Sequence, residues 1–238
     1  MSTLNPTKKV SRRQELRQDT VVTFYARAWE FVDRNRTIVL GAAAVVVLVV
    51  AALIGYAVYQ QRQQAKAVAE MAGAVQAYEQ GRYREALDGT AGYVGLLAII
   101  DRYGGTEAGN LARFYAANAF FQLGEYDQAL ELFRDFEKED NLIGASAVAG
   151  EAAVYEQRGE HERAARLYRR AAGMVRSEQV AADYLFDAAR AYEAAGDYGA
   201  AREVYREIKD RYGDTPAARN VDVDLARVET LLKRARGT

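Results

Sequence analysis

The longest apolar stretch of the chain contains no charged residue. Residues 37–59, TIVLGAAAVVVLVVAALIGYAVY, place valine and leucine on every side of the helix that they predict. At about 1.5 Å per residue that helix is roughly 35 Å long, enough to cross a hydrocarbon core of about 30 Å. A buried core helix, the alternative, is usually shorter and keeps a polar face. The pattern therefore predicts a transmembrane helix over residues 37–59.

A weaker apolar stripe precedes that stretch. Between residues 15 and 36, apolar side chains recur at three- and four-residue spacing with charged residues around them. The stripe consists of Val21, Val22, Tyr25, Ala28, Trp29 and Val32. It favours an amphipathic helix on the inner membrane surface, and a docking site for a cytoplasmic partner is the alternative. Residues 1–14 are polar and basic without periodicity, which predicts a disordered tail.

Aromatic side chains are present at both ends of the apolar stretch. Trp29 precedes it, and Tyr56 and Tyr59 lie in its last turn. Tryptophan and tyrosine are enriched where a membrane meets water. We therefore expect these three residues to lie at the two membrane interfaces.

The charges on either side of the apolar stretch predict its orientation. Residues 1–36 carry eight Lys and Arg against four Asp and Glu, whereas residues 60–66 offer only Arg62 and Lys66. Because an excess of Lys and Arg marks the cytoplasmic flank, we expect a cytoplasmic N-terminus and a C-terminal part on the other side of the membrane. The leader of 36 residues is too long for a cleaved signal peptide, so the helix is expected to remain as an anchor.

A helical pattern repeats beyond residue 60. Aligned on a turn glycine, the repeated segments are GRYREAL at Gly81, GEYDQALELF at Gly124, GEHERAARLY at Gly159 and GDYGAAREVY at Gly196. The glycines are 43, 35 and 37 residues apart, close to the roughly 34 residues of a tetratricopeptide repeat. Residues 60–238 are therefore predicted to form about four such repeats.

The last three segments also match at the positions that let two helices pack. An aromatic residue lies four positions before each glycine, an alanine five positions after it, and a second aromatic four positions later. These residues are Phe120, Tyr155 and Tyr192, then Ala129, Ala164 and Ala201, then Phe133, Tyr168 and Tyr205. The match predicts an all-α fold: one transmembrane helix followed by an α-solenoid of helical hairpins, with residues 216–236 as a C-terminal capping helix.

The first segment departs from this pattern. Its second helix is lengthened by residues 88–95, DGTAGYVG, whose three glycines predict a loop. A second internal alignment, IIDRYGGTEAGN at residues 99–110 with IKDRYGDTPAARN at 208–220, places Thr106 and Thr215 where each would cap the following helix.

The composition supports a helical protein without catalytic chemistry. The chain has two prolines, no cysteine and one histidine, and none of the common catalytic, phosphate-binding or metal-binding motifs. His161 replaces a tyrosine of the repeat turn, so a packing role is expected for it. Glu137, Glu139 and Asp140 lie in a charged run and are expected to be solvated rather than to hold a metal. We therefore expect no enzyme activity, cofactor or small-molecule substrate.

The charge balance argues against nucleic acid as a partner. The net charge of the chain is −1, and its first 36 residues carry +4 while the apolar stretch carries none. The remainder therefore carries −5. A mildly acidic domain is unsuited to the phosphate backbone.

Three stretches resemble a known family. They are YARAWEFVDRNRTIVLG at residues 25–41, YEQGRYREALDG at 78–89 and GLLAIIDRYGGTEAGNLARFYAANAFFQLGEYDQAL at 95–130. With the single apolar stretch, they resemble the family of the ancillary subunit of the bacterial Sec translocon, whose repeat domain is similar to that of the cell-division coordinator of the envelope.

The resemblance implies a single-pass protein of the bacterial inner membrane with a periplasmic domain of tetratricopeptide repeats. That domain would bind translocon subunits, periplasmic chaperones or exported clients, as a scaffold or chaperone co-factor without catalysis or cofactor. The alternative is a scaffold that coordinates envelope or cell-wall assembly and division.

A helical solenoid offers a groove lined by the first helix of each hairpin. Counted from the turn glycines, the side chains expected to line a protein-binding groove are Phe114, Asn118, Phe121, Gln122, Glu156, Phe186, Arg190 and Glu193. The phenylalanines suit an apolar segment, and Asn118 and Arg190 suit its backbone. Alternatively, the N-terminal helix or self-association covers the phenylalanines. A clamp for a terminal carboxylate is not expected, because Arg190 is the single cationic residue among these positions.

Overall fold

The computed structural model describes residues 29–236, apart from the side chains of residues 220 and 236. The predicted tail and residues 15–28 of the predicted amphipathic helix lie outside this range. Residues 29–34 are helical, in helix α1, which ends in a turn at Asn35. The chain divides into two compact units between Tyr59 and Gln60, where the apolar stretch also ends.

The apolar stretch lies in the first unit, in helix α2 (Arg36–Glu79). Its large side chains point to solvent: Ile38, Leu48 and Leu53 are 68%, 69% and 63% exposed. Among the described residues, α2 is the helix that is long and apolar enough to cross a membrane, and its most apolar part is not buried. It is therefore a candidate membrane span by length and composition.

The second unit consists of helical hairpins. The C-terminal part of α2 belongs to it, and the following helices pack pairwise, α5 on α6, α7 on α8 and α9 on α10. The elements after α2 are α3 (Tyr83–Asp88), β1 (Gly89–Thr90), β2 (Tyr93–Val94), α4 (Leu96–Tyr103), α5 (Glu107–Gln122), α6 (Tyr126–Asp135), α7 (Leu142–Gln157), α8 (His161–Gly173), α9 (Glu178–Ala194), α10 (Tyr198–Arg211) and α11 (Val221–Arg236).

The same backbone turn closes each hairpin. The φ angles are +74° at Gly81, +76° at Gly124 and Gly159, and +80° at Gly196. At each turn the N–H of the residue after the glycine bonds to the carbonyl five positions back, as from Glu125 to Phe120 at 2.9 Å. A left-handed glycine with this bond is a common helix ending. The turns predicted from the glycine spacing are thereby confirmed.

The residues matched between repeats form the core of the second unit. The aromatic residues before and after each turn and the alanines between them are all buried: Phe120, Tyr155, Tyr192, Ala129, Ala164, Ala201, Phe133, Tyr168 and Tyr205. Because the alanines have small side chains, the two helices of a hairpin approach closely there. The prediction of packed hairpins is confirmed.

The insertion in the first hairpin is not the loop expected from its glycines. Strands β1 and β2 form a small antiparallel hairpin, in which Gly89 pairs with Val94 and Thr90 with Tyr93. The Tyr93 side chain packs on Gly73 of α2, where a Cβ on the glycine would come within 2.5 Å of the Tyr93 Cβ. The contact requires a glycine at that point of α2, and it gives the short strands a surface to pack against.

The C-terminal segment also departs from expectation. Instead of a helix from residue 216, a 3₁₀ turn at Ala217–Asn220 precedes α11. Thr106 caps α5 as predicted, because its Oγ1 accepts from the N–H of Gly109 at 3.1 Å. Thr215 does not cap α11: the N–H of Ala218 bonds to its main-chain carbonyl instead, and its hydroxyl donates to Tyr212 O at 2.7 Å.

Candidate protein-binding groove

The predicted groove residues lie on α5, α7 and α9, the first helices of three successive hairpins. They recur in register with the turn glycines, so that Phe121, Glu156 and Glu193 each lie three positions before a glycine. The residue types at this position change along the array. The second hairpin carries a phenylalanine there, whereas the third and fourth carry a glutamate.

The three phenylalanines are half-buried against rings of the second unit. The Phe114 ring lies 6.5 Å from Phe133 and 5.8 Å from Phe136, between centroids. Phe121 lies 5.5 Å from Tyr126, and Phe186 lies 5.7 Å from the ring of Tyr205. Partial burial leaves only part of each ring for another molecule.

Two of the predicted polar groove residues have different surroundings. The Asn118 amide Nδ2 donates to the Phe114 carbonyl of its own helix at 2.8 Å, whereas Gln122 is exposed at the end of α5. Asn118 therefore has one of its two N–H donors engaged within α5. Its role toward a bound backbone stays a prediction.

A buried tyrosine of the second helix bonds to the groove glutamate in two hairpins. Tyr168 Oη donates to Glu156 at 3.1 Å, and Tyr205 Oη donates to Glu193 at 2.6 Å. Burial, together with the adjacent carboxylate, raises the pKa of each tyrosine above its ordinary value. Each hydroxyl is therefore protonated at neutral pH and serves as the donor.

An aspartate and an arginine from the next helix complete each arrangement. We name the residues Tyr168, Glu156, Asp187 and Arg190 the inner set, and the residues Tyr205, Glu193, Asp224 and Arg227 the terminal set. All four members of the terminal set follow their counterparts by 37 residues, which is also the spacing of the last two turn glycines. The groove prediction missed Asp187, Asp224 and Arg227. The repeated sequences DAAR at 187–190 and DLAR at 224–227 were the signal that could have found them.

The terminal set is closed by its arginine. Arg227 Nε and Nη2 donate to the two oxygens of Glu193 at 3.0 and 2.8 Å, and Nη2 also lies 2.7 Å from Asp224 Oδ1. Burial alone would raise the pKa of Glu193, but the hydrogen bonds from Arg227 and Tyr205 outweigh it and hold that pKa below its ordinary value. Glu193 is therefore occupied by the capping helix α11 and is not a free groove carboxylate.

The inner set is open by comparison. Arg190 Nη1 lies 3.6 Å from Asp187 Oδ1, and the described contact of Glu156 is the Tyr168 hydroxyl. Burial raises the pKa of the Asp187 carboxyl; the positive charge of Arg190 opposes this, and the negative charges of Glu156 and Asp183 add to it. The carboxylates of the inner set are thus only partly neutralised.

A cavity of about 290 Å³ adjoins the inner set. Asp187 and Asp183 line it together with three apolar residues, Phe186, Pro216 and Ala217. The cavity therefore combines two carboxylates with apolar walls.

The remaining candidate residues lie at the start of α8 and between α6 and α7. His161 begins α8, and its buried Nδ1 has no hydrogen-bond partner among the described residues. Glu137, Glu139 and Asp140 lie at the surface of the segment between α6 and α7, as predicted. Within residues 29–236, no three His, Asp or Glu side chains are grouped so as to hold a metal ion.

The residues expected at the membrane interfaces lie in the first unit. Trp29, Tyr56 and Tyr59 are 75%, 63% and 57% exposed. Their predicted place at the headgroups remains a prediction.

The repeats match a known family. Three overlapping matches to the model described as tetratricopeptide repeat cover residues 96–142, 115–179 and 149–216, together just over half of the chain. The chain belongs to the tetratricopeptide repeat family. Such repeats indicate a scaffold for interactions between proteins, and the tetratricopeptide fold is typically non-catalytic.

Solved structures share the tetratricopeptide fold. A crystal structure of nearly identical TPR-like repeats of a putative kinesin light chain from Podosopora anserina aligns with a TM-score of 0.55 at 17% identity, covering 72% of this chain and 89% of that one. A substituted variant of those repeats aligns with a TM-score of 0.52 at 17% identity, over 72% of this chain and 93% of that one. At this identity the likeness concerns the fold alone. No curated protein sequence matches the chain.

Proposed function

We propose that this chain is a membrane-anchored scaffold whose tetratricopeptide repeats hold other proteins on the periplasmic side of a bacterial inner membrane. The observation that carries the proposal is the combination, in one chain, of an exposed apolar helix with interaction repeats. The most apolar part of α2 is not buried, although exposing so many aliphatic side chains to water is unfavourable. A bilayer around residues 37–59 would remove that cost.

The basic flank supports the proposed orientation. The excess of Lys and Arg before residue 37 favours a cytoplasmic N-terminus, so that the repeat unit lies in the periplasm. The resemblance of residues 25–41, 78–89 and 95–130 to the ancillary Sec translocon subunit supports a role beside the export channel. In that role the repeats would bind translocon subunits, periplasmic chaperones or newly exported chains.

Protease protection tests the orientation. Protease added to intact spheroplasts is expected to degrade the repeat unit, since that unit would face the medium, and to spare an epitope tag placed before Met1. A cytoplasmic protein followed in the same spheroplasts controls for lysis. Protection of the repeat unit until the membrane is dissolved would overturn the periplasmic placement.

Photocrosslinking in living cells tests the partner. A photoreactive phenylalanine analogue at Phe121 or Phe186 is expected to capture translocon subunits, periplasmic chaperones or exported chains, because both side chains are partly exposed at predicted groove positions. The matched control carries the analogue at Glu162 of α8, whose side chain is 67% exposed. Capture of cytoplasmic proteins alone, or of the same proteins from Glu162, would contradict the proposal.

A further inference from the structure

The closed terminal set shows how these carboxylates hold a cation. Arg227 places its guanidinium between Glu193 and Asp224, within 3.0 Å of both. Arginine suits this role because its planar group donates to two acceptors at once. The chain therefore contains an example of a glutamate and an aspartate, on successive first helices, that share one guanidinium.

The inner set presents the same pair of carboxylates without a shared cation. Glu156 and Asp187 are the counterparts of Glu193 and Asp224, on α7 and α9. Arg190 makes a single contact to Asp187 at 3.6 Å. Glu156 and Asp183 add negative charge around Asp187, so that three carboxylates are grouped with one arginine and an excess of negative charge remains when all are ionised. Each set has one arginine, but in the inner set that arginine does not bridge the glutamate and the aspartate as Arg227 does in the terminal set.

We propose that Glu156 and Asp187 bind a lysine or arginine side chain of the protein held in the groove. The proposal rests on the proposed function, because it requires a polypeptide at the groove positions. The cavity beside Asp187 provides the second half of the site. Its apolar walls, Phe186, Pro216 and Ala217, suit the methylene stem of a long cationic side chain, while the carboxylates receive its charged end.

The occupant is therefore a basic, partly apolar segment of polypeptide. Phe114 of the preceding hairpin offers a partly exposed ring, and the hairpins that follow offer carboxylates. A segment with apolar residues on one side of a Lys or Arg would match this order. An acidic segment would meet like charge at Glu156, Asp183 and Asp187, which disfavours its binding.

Peptide binding to the full-length chain in detergent micelles tests the site. The probes are two fluorescein-labelled peptides rich in alanine and leucine, identical except that one carries a central arginine and the other a citrulline. Fluorescence anisotropy is expected to show the arginine peptide binding about fivefold more tightly, with the difference shrinking as salt is added.

Paired variants locate the preference. The double change Glu156→Gln and Asp187→Asn is expected to abolish the preference for arginine, so that the variant binds the two peptides with equal affinity. The matched control is Glu131→Gln with Glu162→Gln, two exposed acids on the second helices α6 and α8, which removes the same charge and should keep the preference. Loss of preference in the control would assign the effect to overall charge and overturn the site.

The outcomes separate this proposal from the proposed function. Equal binding of both peptides means that the groove holds polypeptide without a cation site, which overturns the inference alone. Binding of neither peptide counts against the groove itself and therefore against both. A loss of stability in Arg190→Met as large as that in Arg227→Met would show that Arg190 already bridges the pair, which also overturns the inference.

Discussion

The inner and terminal sets contain the same four residue types at the same spacing, yet only the terminal carboxylates share an arginine. Arg227 contacts both Glu193 and Asp224, whereas the described ion pair of Arg190 is with Asp187. The terminal set joins the last repeat to the capping helix, and the inner set joins two repeats. The same four residue types thus neutralise their charges at the end of the array, whereas within the array they leave negative charge uncompensated.

The junction between the hairpin α5–α6 and the hairpin α7–α8 is apolar at the corresponding positions. There the register positions of the tyrosine, glutamate and aspartate are occupied by Phe133, Phe121 and Gly150. A Cβ at Gly150 would lie 2.3 Å from Phe133 Cζ, so the ring occupies the space that a side chain would need. The last three junctions of the array therefore change from an apolar one, through one with uncompensated carboxylates, to one whose carboxylates are neutralised by an arginine.

The largest loss of stability is expected from placing an aspartate at Gly150, the position in the apolar junction that corresponds to Asp187 of the inner set. Gly150→Asp places a side chain in the space of the buried Phe133 ring, which forces a steric shift, and it adds a carboxylate at a half-buried position. We expect the free energy of unfolding to fall by about 3 kcal/mol or more. Urea unfolding of the full-length chain in detergent, followed by far-ultraviolet circular dichroism, measures it.

Gly173→Asp is the control for that substitution. Gly173 is also a helical glycine, at the end of α8, but a Cβ there meets no atom within 4 Å. Its effect is expected to stay below about 1 kcal/mol, in the range of surface changes. Equal losses for the two variants would mean that glycine's backbone, and not the approach of Phe133, accounts for the effect.

Replacing the arginine should lower the free energy of unfolding more in the terminal set than in the inner set. Arg227→Met leaves Glu193 and Asp224 without their shared cation, and their side chains are only 15% and 13% exposed. We expect a loss of about 2 kcal/mol in the same unfolding measurement. Arg190→Met, at a single long contact, should cost less than about 0.5 kcal/mol. Similar losses would contradict the distinction between the two sets.

The hairpin architecture was predictable from the sequence because its signals are local. Each turn needs a glycine in the left-handed region, and each packing position recurs at a fixed distance from it, as with Ala129 and Phe133 after Gly124. The small β-hairpin was missed because two-residue strands are too short to show alternation. The 3₁₀ turn was missed because it depends on a single choice of hydrogen-bond acceptor: the N–H of Ala218 bonds to the carbonyl of Thr215, three residues back.

The candidate groove was harder to predict because its partners come from other helices. Counting from the turn glycine identified Glu156, Glu193 and Arg190 as groove positions, but it treated each as independent. Glu193 is in fact bonded by Arg227, which lies 34 residues further along the chain, in a helix expected only to cap the array. The pairing of Glu193 with Arg227 could be predicted by treating α11 as the first helix of another hairpin and aligning it with α9.

Replacing Asp187 by asparagine should change the free energy of unfolding least. Unlike the substitutions above, it should increase that free energy. Because the folded state raises the pKa of Asp187, it binds the proton more tightly than the unfolded chain does, so stability falls as pH rises from the ordinary value toward the raised one. Asp187→Asn should therefore stabilise the chain at neutral pH, by about 0.3 kcal/mol, since the 40% exposed side chain is screened by solvent. The gain should vanish below pH about 3.9, where both states are protonated.

The terminal set should respond to pH in the opposite direction. The folded state lowers the pKa of Glu193. Its ionised carboxylate therefore stabilises the fold at pH values above the ordinary glutamate pKa, and this stabilisation is lost as the pH falls through the lowered pKa. Glu193→Gln should therefore destabilise the chain at neutral pH and matter less in acid. Urea unfolding at several pH values compares the two variants directly. If Asp187→Asn also destabilised the chain at neutral pH, Arg190 would be holding Asp187 as firmly as Arg227 holds Glu193, and the inner set would have no charge left for a ligand.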